Sequence, residues 1–311
     1  MLRFENEFVG LTVLSILTSR LGFSRKAITR LKKKPCGIMI NGSHATVRAV
    51  LREGDVLTLD PDDTAESQNE KLIPSSSLPS IIYEDDDIVI VNKPYGMPTH
   101  QSHGHFDDTL ANSLSYYYGL IGRPFVFRAV NRLDKNTSGA VLVAKNSISA
   151  AKLSRSMQSN GIEKSYIAIL SAPLAESEGE ISTYIRRKEK SVIFREICGA
   201  DDEGAKPAIT KYKVLAQGGG LSLVRATLVT GRTHQLRLHF AHLGASILGD
   251  DLYGSPSDLI SRHALHAYSL TLTPPSSEHR TTFFAELPSD MLSIINKNFN
   301  KEDLENEFKK Q

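Results

Sequence analysis

A polar stretch at residues 61–79, rich in proline and serine, divides the 311-residue chain into two parts of very different size. The stretch has neither helical nor strand-like hydrophobic periodicity, which is typical of a linker. We therefore expect a small core within residues 1–60 and a larger one from residue 80 onward. The highly charged residues 295–311 predict a surface helix or a frayed tail, so the larger domain is expected to span 80–294.

Positive charge is concentrated in the first part of the chain. Residues 1–60 contain ten Lys and Arg against five Asp and Glu, a net charge of +5, whereas the remaining 251 residues carry 27 and 30, a net charge of −3. Such an asymmetry favours a polyanionic partner for the positive end. A basic run is also a common feature of a merely solvated helix, but acidic neighbours would then be expected, and residues 20–34 contain seven basic side chains and no acidic one.

Local signals in residues 1–60 predict a small α/β module with two helices against a sheet. Ser24 is a suitable N-cap for a helix that runs through Leu31. Strands are expected at Ile38–Ile40 and Val56–Leu59, and Asn41-Gly42 is a strong hairpin signal. The basic side chains of the helix and of the residues after it are candidate groups for binding that polyanion: Arg25, Lys26, Arg30, Lys32, Lys33 and Lys34.

The segment GFSRKAITRLKKK…IMINGSHATVRAVLREGDVL resembles the alpha-L RNA-binding motif of ribosomal-protein-like modules. The resemblance is good from Ser24 to Leu57. It implies that the module binds structured RNA through salt-dependent contacts to the phosphate backbone, and that recognition of a particular site is left mainly to the rest of the protein.

From residue 80 onward, strand-like and helical segments follow one another in an order that predicts a mixed α+β fold with a largely antiparallel sheet. Ile81–Tyr83 and Ile88–Val91 flank an acidic turn and predict a hairpin. The remaining expected elements are helices at 108–118, 147–159 and 234–243 and strands at 140–144, 166–170, 209–215 and 221–230.

Composition excludes several classes of protein. Two cysteines, Cys36 and Cys198, are too few for a disulfide framework or a cysteine-rich zinc site, and two buried thiols in a reducing compartment are expected. No apolar run approaches the roughly 20 residues that a membrane span needs, and the N-terminus lacks the regions of a signal peptide. We therefore expect a cytoplasmic protein without a membrane partner, and a monomer by default.

Histidines form two groups that raise the question of a metal site. The groups are His100, His103 and His105 on one loop, and His234, His239 and His242 on a predicted helix. The helical spacings do not place all three side chains on one face, and no cysteine lies nearby. We expect no metal site here. Gly218-Gly219-Gly220 lacks the spacing of a phosphate-binding loop and predicts a turn between strands.

The segment FRAVNRLDKNTSGAVLVAKN, residues 127–146, is the most informative about chemistry. Asp134 lies near Arg132 and Lys135, and cationic neighbours favour the ionised form of a carboxylate. An ionised carboxylate can act as a nucleophile or as a general base. By itself, however, an Arg-Leu-Asp triplet more often forms a surface ion pair.

The stretch RLDKNTSGAVLVAKN resembles the central motif of the RluA-type pseudouridine synthases. Three further segments match the same family in the same order: VNKPYGMPTH (91–100), EKSYIAIL (163–170) and TGRTHQLRLHFAHLGASILGDDLYG (230–254). The resemblance covers residues 81 to 270. It implies an isomerase with a central RNA-binding cleft that converts specific uridines of ribosomal or transfer RNA to pseudouridine, without a cofactor or an obligatory protein partner.

The resemblance also implies roles for individual residues. Asp134 would be the catalytic aspartate. Arg132 would help to expel the target base from its stack or hold the place that it leaves, and Tyr166 would lie against the flipped uracil. Leu236 would pack near the base. Arg237 would pair with Asp134 and keep it charged.

The residues themselves allow other roles at two of these positions. Tyr166 lies in an alternating strand and is equally suited to be a core tyrosine with its hydroxyl hydrogen-bonded. Arg237 lies beside an apolar helical stripe, as does an arginine whose guanidinium reaches out to solvent. Two positions depart from the family pattern. Asn131 replaces a common histidine and Tyr95 replaces a usual small residue, and both are expected to affect the fit of the RNA rather than the chemistry.

The implied reaction breaks the C1′–N1 bond of a uridine, turns the uracil while it is held, and joins C5 to C1′. Asp134 would either attack C1′ or remove a proton from C2′, and the sequence leaves both open. The target base must leave its stack at a cost of about a few kcal/mol, or lie in a loop. Two other functions compete: a catalytically silent RNA-binding protein, and a carboxylate-dependent glycosidase or nucleosidase. The presence of Asp134, Tyr166 and Arg237 together argues against the first, and the basic stretch 20–34 argues against the second.

Overall fold

The computed structural model describes residues 1–60 and 72–300. In the first range, helix α1 (Val13–Ser15) continues into a π-helical turn at Ile16–Arg20 and is followed by helix α2 (Arg25–Lys33). Four strands form an antiparallel sheet in the order β1-β4-β2-β3. The strands are β1 (Leu2–Glu5), β2 (Ile38–Ile40), β3 (Ser43–His44) and β4 (Val56–Leu59).

Local signals in this part are confirmed where they were strongest. The Ser24 side chain accepts a hydrogen bond from the Ala27 N–H at 3.2 Å and caps α2 as predicted. Asn41 and Gly42 both have positive φ, 52° and 79°, as a type I′ hairpin turn requires. That turn joins β2 to β3, and β4 pairs with the other side of β2.

The small N-terminal unit is packed against the larger domain. Ile148 and Ala151, from helix α4 (Ser147–Gln158), belong to the same buried cluster as the apolar residues of α1 and α2. The Arg155 guanidinium, on the same helix, donates a hydrogen bond to the Arg20 carbonyl oxygen. Residues 1–60 thus supply most of the small core, and α4 of the larger domain completes it.

A ten-stranded mixed sheet dominates residues 72–300. Its strand order is β10-β9-β11-β12-β8-β13-β7-β6-β5, and β14 pairs with β13 beside this path. The β7–β13 pair is parallel and the other pairs are antiparallel, so the prediction of a mixed, mainly antiparallel sheet is confirmed. The strands are β5 (Ile81–Glu84), β6 (Ile88–Lys93), β7 (Ser138–Ala144), β8 (Glu163–Leu170), β9 (Glu178–Arg187), β10 (Arg195–Cys198), β11 (Lys206–Gly218), β12 (Leu221–Leu228), β13 (Leu265–Leu272) and β14 (Thr281–Phe284).

The expected helices and strands of this domain are all present with shifted ends. Helices α3 (Leu110–Leu120), α4 and α5 (Gln235–His242) correspond to the three predicted ones. The sequence reading missed β9, β10, β13 and β14 and the helix α6 (Ser289–Asn298). Strand β13 is buried along nearly its whole length, so it lacks the alternation that marks a strand with one solvent face.

The C-terminal boundary differs from the prediction. Helix α6 runs across residue 294, and Ile295 and Phe299 are 3% and 5% exposed in the main core. The residues 295–300 are therefore part of the large domain rather than a surface helix or frayed tail. The rest of that predicted tail, residues 301–311, lies outside the described residues.

The predicted linker lies partly outside the described residues, at 61–71. Its second half, residues 72–79, lies beside helix α3. The Asn112 side chain donates a hydrogen bond to the Ile73 carbonyl at 2.6 Å, and Ser113 donates one to the Ser77 carbonyl at 2.8 Å. Backbone carbonyl groups of this segment are thus hydrogen-bonded to side chains of α3.

Cys36 is exposed and Cys198 half-buried, both as free thiols, so the expectation of two buried thiols is wrong. None of the helices in residues 1–60 and 72–300 is long and apolar enough to cross a membrane.

Candidate active site

Asp134 lies on the loop that leads into strand β7. The Thr137 N–H donates to the Asp134 carbonyl oxygen at 3.1 Å, which closes a turn just after the carboxylate. Asn131 fixes the other side of the loop: its amide donates to the Ala140 carbonyl at 3.1 Å, and its oxygen accepts from the Leu142 N–H at 2.7 Å. The asparagine that departs from the family pattern therefore anchors the Asp134 loop to β7.

Two buried basic side chains hold the carbonyl groups of the same loop. The Lys93 ammonium is completely buried and donates to the Lys135 carbonyl at 3.2 Å, as well as to two carbonyls of its own loop. Arg262 donates to the Asn136 carbonyl at 3.0 Å, and its guanidinium lies over the Tyr95 ring. Burial lowers the pKa of Lys93 to about 7, against the opposing effect of the Asp134 charge. The backbone on both sides of Asp134 is thus fixed before any substrate binds.

The parallel β7–β13 pair locks the end of the loop. Thr137 and Ser138 form side-chain hydrogen bonds of 2.8 and 2.9 Å with His263 and His266. Burial lowers the pKa of both imidazoles, to about 3 for His263 and about 4 for His266, so both are neutral near pH 7. Residues more than 120 positions apart in the chain therefore hold this turn together.

The Asp134 loop forms one wall of a cleft of about 1080 Å³. The side chain of Asp134 is 26% exposed. Five residues that the family resemblance singled out line this one cleft: Arg132, Asp134, Tyr166, Leu236 and Arg237. Residues from three distant segments of the chain thus meet around one carboxylate.

The lining of the cleft is strongly cationic. Asp134 is the one acidic side chain among the described lining residues. The Lys and Arg side chains in the lining are Arg128, Arg132, Lys164, Arg232 and Arg237. A concave surface with this charge balance attracts polyanions and concentrates them near the carboxylate.

Tyr166 belongs both to the main core and to the cleft wall. It lies in β8 between Ala226 of β12 and Ala267 of β13. Burial raises the pKa of its hydroxyl, and the nearby Asp134 charge raises it further, so the group is a neutral phenol at physiological pH. The two roles that the sequence left open for this residue, core and cleft, are combined in one side chain.

Arg237 pairs with a different carboxylate from the one expected. Its guanidinium donates to the two oxygens of Asp250 at 2.7 and 2.6 Å and to Asp251 at 3.3 Å. Helix α5 directs the Arg237 side chain toward the turn that follows the helix, so Arg237 does not form a direct pair with Asp134. The alternative that its guanidinium reaches solvent is also wrong, because Arg237 is only 4% exposed. Asp134 acts on Arg237 only through longer-range attraction.

The carboxyl of Asp250 is buried and ionised. Burial by itself would raise the pKa of Asp250, but the hydrogen bonds from Arg237 and from the Leu252 and Tyr253 N–H groups outweigh it and hold that pKa below its usual range. Asp250 therefore ties Arg237 to the backbone of the turn.

His234 is the side chain that lies against Asp134. It is the N-cap residue of α5 in the left-handed conformation, with φ of 60°. Its Nε2 is 3.7 Å from Asp134 Oδ2, and its Nδ1 is hydrogen-bonded to the Tyr253 hydroxyl at 2.8 Å. Sequence reasoning considered His234 only as a metal ligand and did not single out Asp250 or Tyr253, although all three lie in the segment 230–254 that matches the family.

Two of the other histidines, His105 and His239, have hydrogen-bond partners of their own. His105 Nδ1 is hydrogen-bonded to the Asp108 carboxylate at 2.6 Å. The two ring nitrogens of His239 are hydrogen-bonded to the hydroxyls of Thr183 and Thr210. Burial lowers the pKa of His239 to about 4. In the part of the chain that the structure describes, no three His, Cys, Asp or Glu side chains are grouped so that they could hold a metal ion.

The basic residues of the N-terminal helix do not line the cleft. Arg25, Lys26, Lys32 and Lys33 are exposed, and Arg30 is half-buried. Lys34 has an acidic partner from outside the basic stretch 20–34, since its ammonium contacts the Asp60 carboxylate at 3.1 Å. An acidic partner from the end of β4 thus neutralises one member of the run.

Comparisons with known proteins agree on one family. The family model for RNA pseudouridylate synthase matches residues 87–242. YjbO of Bacillus subtilis, an RNA pseudouridine synthase, is 33% identical over 88% of this chain and 95% of its own length. Ribosomal large subunit pseudouridine synthase D of Zymomonas mobilis is 32% identical over 92% of this chain and 94% of its own length. Among solved structures, human RNA pseudouridylate synthase domain containing 1 is similar with a TM-score of 0.56 and 32% identity, over 67% of this chain and 83% of that one.

An RNA-modifying isomerase is the class of protein that this fold and these relatives define. The chain belongs to the RNA pseudouridine synthase family, and to the RluA type that its motifs resemble. Its activity is the isomerisation of uridine to pseudouridine within RNA.

Proposed function

We propose that Asp134 is the catalytic carboxylate of this synthase. The observation that carries the proposal is the meeting of five family positions around one cleft with a single acidic group among its described lining residues. The fixed backbone on both sides of Asp134 supports the same role, because a reacting group is effective when its geometry is set in advance. Asp134 either attacks C1′ or removes a proton from C2′ of the target uridine.

The other cleft residues receive the substrate. Tyr166 presents the face of a neutral phenol, against which a flipped uracil stacks, and Leu236 packs beside the base. Arg132 is exposed at the rim next to Asp134, where it enters the space that the base leaves in its stack. Arg237 is a positioning residue, since its hydrogen bonds go to Asp250 and Asp251 rather than to the cleft.

Ribosomal RNA of the large subunit is the substrate class that we propose. Support comes from the relative in Zymomonas mobilis, whose name specifies the large ribosomal subunit and which matches almost the whole chain. The exposed basic side chains of α2 bind the RNA backbone outside the catalytic cleft. The protein acts as a monomer in the cytoplasm, where its free thiols stay reduced.

The test is tritium release from ribosomal RNA transcripts labelled at uracil C5, because formation of the C5–C1′ bond expels that hydrogen. We expect the wild-type protein to release tritium and Asp134→Asn to be slower by at least about 100-fold, the low end of what a reacting group contributes. RNA binding of the variant, measured by filter retention, should stay close to wild type.

Asp258→Asn is the matched control, because it makes the same chemical change at an exposed carboxylate outside the cleft lining. Its release rate should equal that of the wild type. Full activity of Asp134→Asn would exclude Asp134 as the catalytic group. Release from transfer RNA but not from the ribosomal transcripts would replace the proposed substrate class.

A further inference from the structure

The strongest unassigned feature of the molecule is a line of polar contacts that ends at the Asp134 carboxylate. It begins at the buried Arg237–Asp250 pair and continues through Tyr253 and His234. Each link in this line is a separate contact. The two middle residues, Tyr253 and His234, have no role in the proposed function.

Tyr253 is held in place from both its backbone and its ring. Its N–H donates to Asp250 Oδ1 at 3.0 Å, and the Arg237 guanidinium lies 5.4 Å from the centre of its ring. The Phe194 ring packs edge-on against the same ring, at 6.2 Å between centroids. The buried ion pair therefore determines where the Tyr253 hydroxyl lies.

The hydrogen-bond partners of that hydroxyl favour one tautomer of His234. The Arg195 N–H donates to the Tyr253 oxygen at 2.9 Å, so this oxygen already serves as an acceptor. Among the residues that the structure describes, the acceptor within reach of the hydroxyl hydrogen is His234 Nδ1, at 2.8 Å. A neutral imidazole that accepts at Nδ1 carries its proton on Nε2.

The Nε2 proton faces the Asp134 carboxylate. The distance of 3.7 Å between Nε2 and Oδ2 is in the range of an ion pair and longer than a hydrogen bond, and such distances at catalytic groups shorten when substrate binds. Burial lowers the pKa of His234, against the attraction of Asp134, and this supports the neutral form. The charged and titratable groups that act on His234 from the surrounding elements are Asp134, Arg195, Arg237, Asp250, Tyr253 and His263.

We propose that His234 is a positioning residue for the catalytic carboxylate: Tyr253 holds its imidazole as the Nε2–H tautomer, and that N–H donates a hydrogen bond to Asp134 in the complex with RNA. This rests on the proposed function, in which Asp134 is the catalytic carboxylate. The hydrogen bond fixes the rotation of the carboxylate and stabilises its ionised form as it acts on the ribose. Arg237 and Asp250 influence Asp134 through this line rather than by direct contact.

The test compares two replacements of His234 in single-turnover tritium release with saturating protein and the labelled ribosomal transcript. His234→Gln keeps an N–H donor near the position of Nε2, whereas His234→Met has a similar length and no donor. Both replace a residue at positive φ, so their backbone cost is matched. We expect His234→Met to be slower by about 10- to 100-fold, the effect of one hydrogen bond to a charged group, and His234→Gln to recover most of the rate.

Tyr253→Phe tests the link behind His234. As a single substitution it should slow tritium release, because the imidazole is then free to change tautomer. In the His234→Met background it should lower the rate by less than about twofold more. The dissociation constant for RNA should stay within about twofold of wild type in all variants, which separates positioning from binding. His242→Met, at the exposed end of the same helix, is the control and should react like the wild type.

Three outcomes would overturn the inference while leaving Asp134 in its role: a wild-type rate for His234→Met, equal rates for the Met and Gln variants, or full additivity of Tyr253→Phe with His234→Met. If both His234 variants fail to fold in a thermal melt, Tyr253→Phe decides alone, and a wild-type rate for it overturns the inference. Activity of Asp134→Asn would instead remove the proposed function on which the inference rests.

Discussion

Asp250 contributes to the fold through its ion pair with Arg237, and its position in the sequence gives little indication of that role. Its buried carboxylate carries both hydrogen bonds of a bidentate arginine pair, whereas the neighbouring Asp251 contacts the same guanidinium and is 66% exposed. Removing one partner of a buried ion pair leaves an uncompensated charge in a low-dielectric environment, and this is costly even where the intact pair contributes little.

We therefore predict that Asp250→Ala lowers the free energy of unfolding by about 3–5 kcal/mol, and that Asp251→Ala changes it by less than about 1 kcal/mol. Urea denaturation of both variants at pH 7 measures the difference. Equal effects of the two substitutions would contradict a special role for the buried pair.

The same pair has a defined pH dependence. The pKa of Asp250 is lower in the folded protein than in the unfolded chain, so its contribution to stability is complete above the unfolded-state pKa and is lost as the pH falls through the folded value. The acid side of the stability profile should be flatter in Asp250→Ala than in the wild type.

At the scale of elements, the parallel contact between β7 and β13 is the feature that builds the site. Gly139 pairs with Ala267 in this contact and has a φ of 114°, which residues with a side chain rarely adopt. A Cβ atom on Gly139 would overlap backbone atoms of Ala267. The backbones of the two strands can approach closely only because this position has no side chain.

Gly139→Ala should therefore lower the free energy of unfolding by at least about 2 kcal/mol and reduce the rate of tritium release, since Thr137 and Ser138 would lose their register with β13. Gly122→Ala is the control, with φ of 68° and no atom within 4 Å of the added Cβ; it should cost about 1 kcal/mol and leave the rate unchanged. Equal losses for the two variants would show that backbone strain, and not the close approach of the strands, determines the effect.

At the scale of the whole molecule, helix α4 of the catalytic domain packs into the core of the N-terminal unit. In the proposed function, RNA on the basic helix α2 would therefore be held by a unit packed on the catalytic domain. Replacing Lys32 and Lys33 by Ala should weaken RNA binding at every sequence. It should also reduce the slope of log affinity against log salt by about 1 for each phosphate that a lysine no longer neutralises. Lys211 and Lys297, two exposed lysines of the catalytic domain, serve as the control pair. An unchanged slope in the Lys32/Lys33 variant would show that α2 does not bind phosphates.

The sequence by itself determined the features that depend on neighbouring residues. The cap of α2 at Ser24, the Asn41-Gly42 turn and the alternating strands follow from backbone preferences and side-chain periodicity over a few positions. The four motif segments also named the five residues that line the cleft, because their order and content are specific to one family.

Only the tertiary structure decided which groups face each other. The partner of Arg237 is Asp250 rather than Asp134, the Thr137 turn is held by His263, and His234 reaches Asp134, because helix direction and strand pairing bring these groups together. For the same reason, the sequence did not indicate that β13 is buried on both faces. It also did not indicate that Ile295, beyond the expected domain boundary, is buried. Hydrophobic and electrostatic contacts between distant segments are set by the packed fold, and a local sequence pattern carries no record of them.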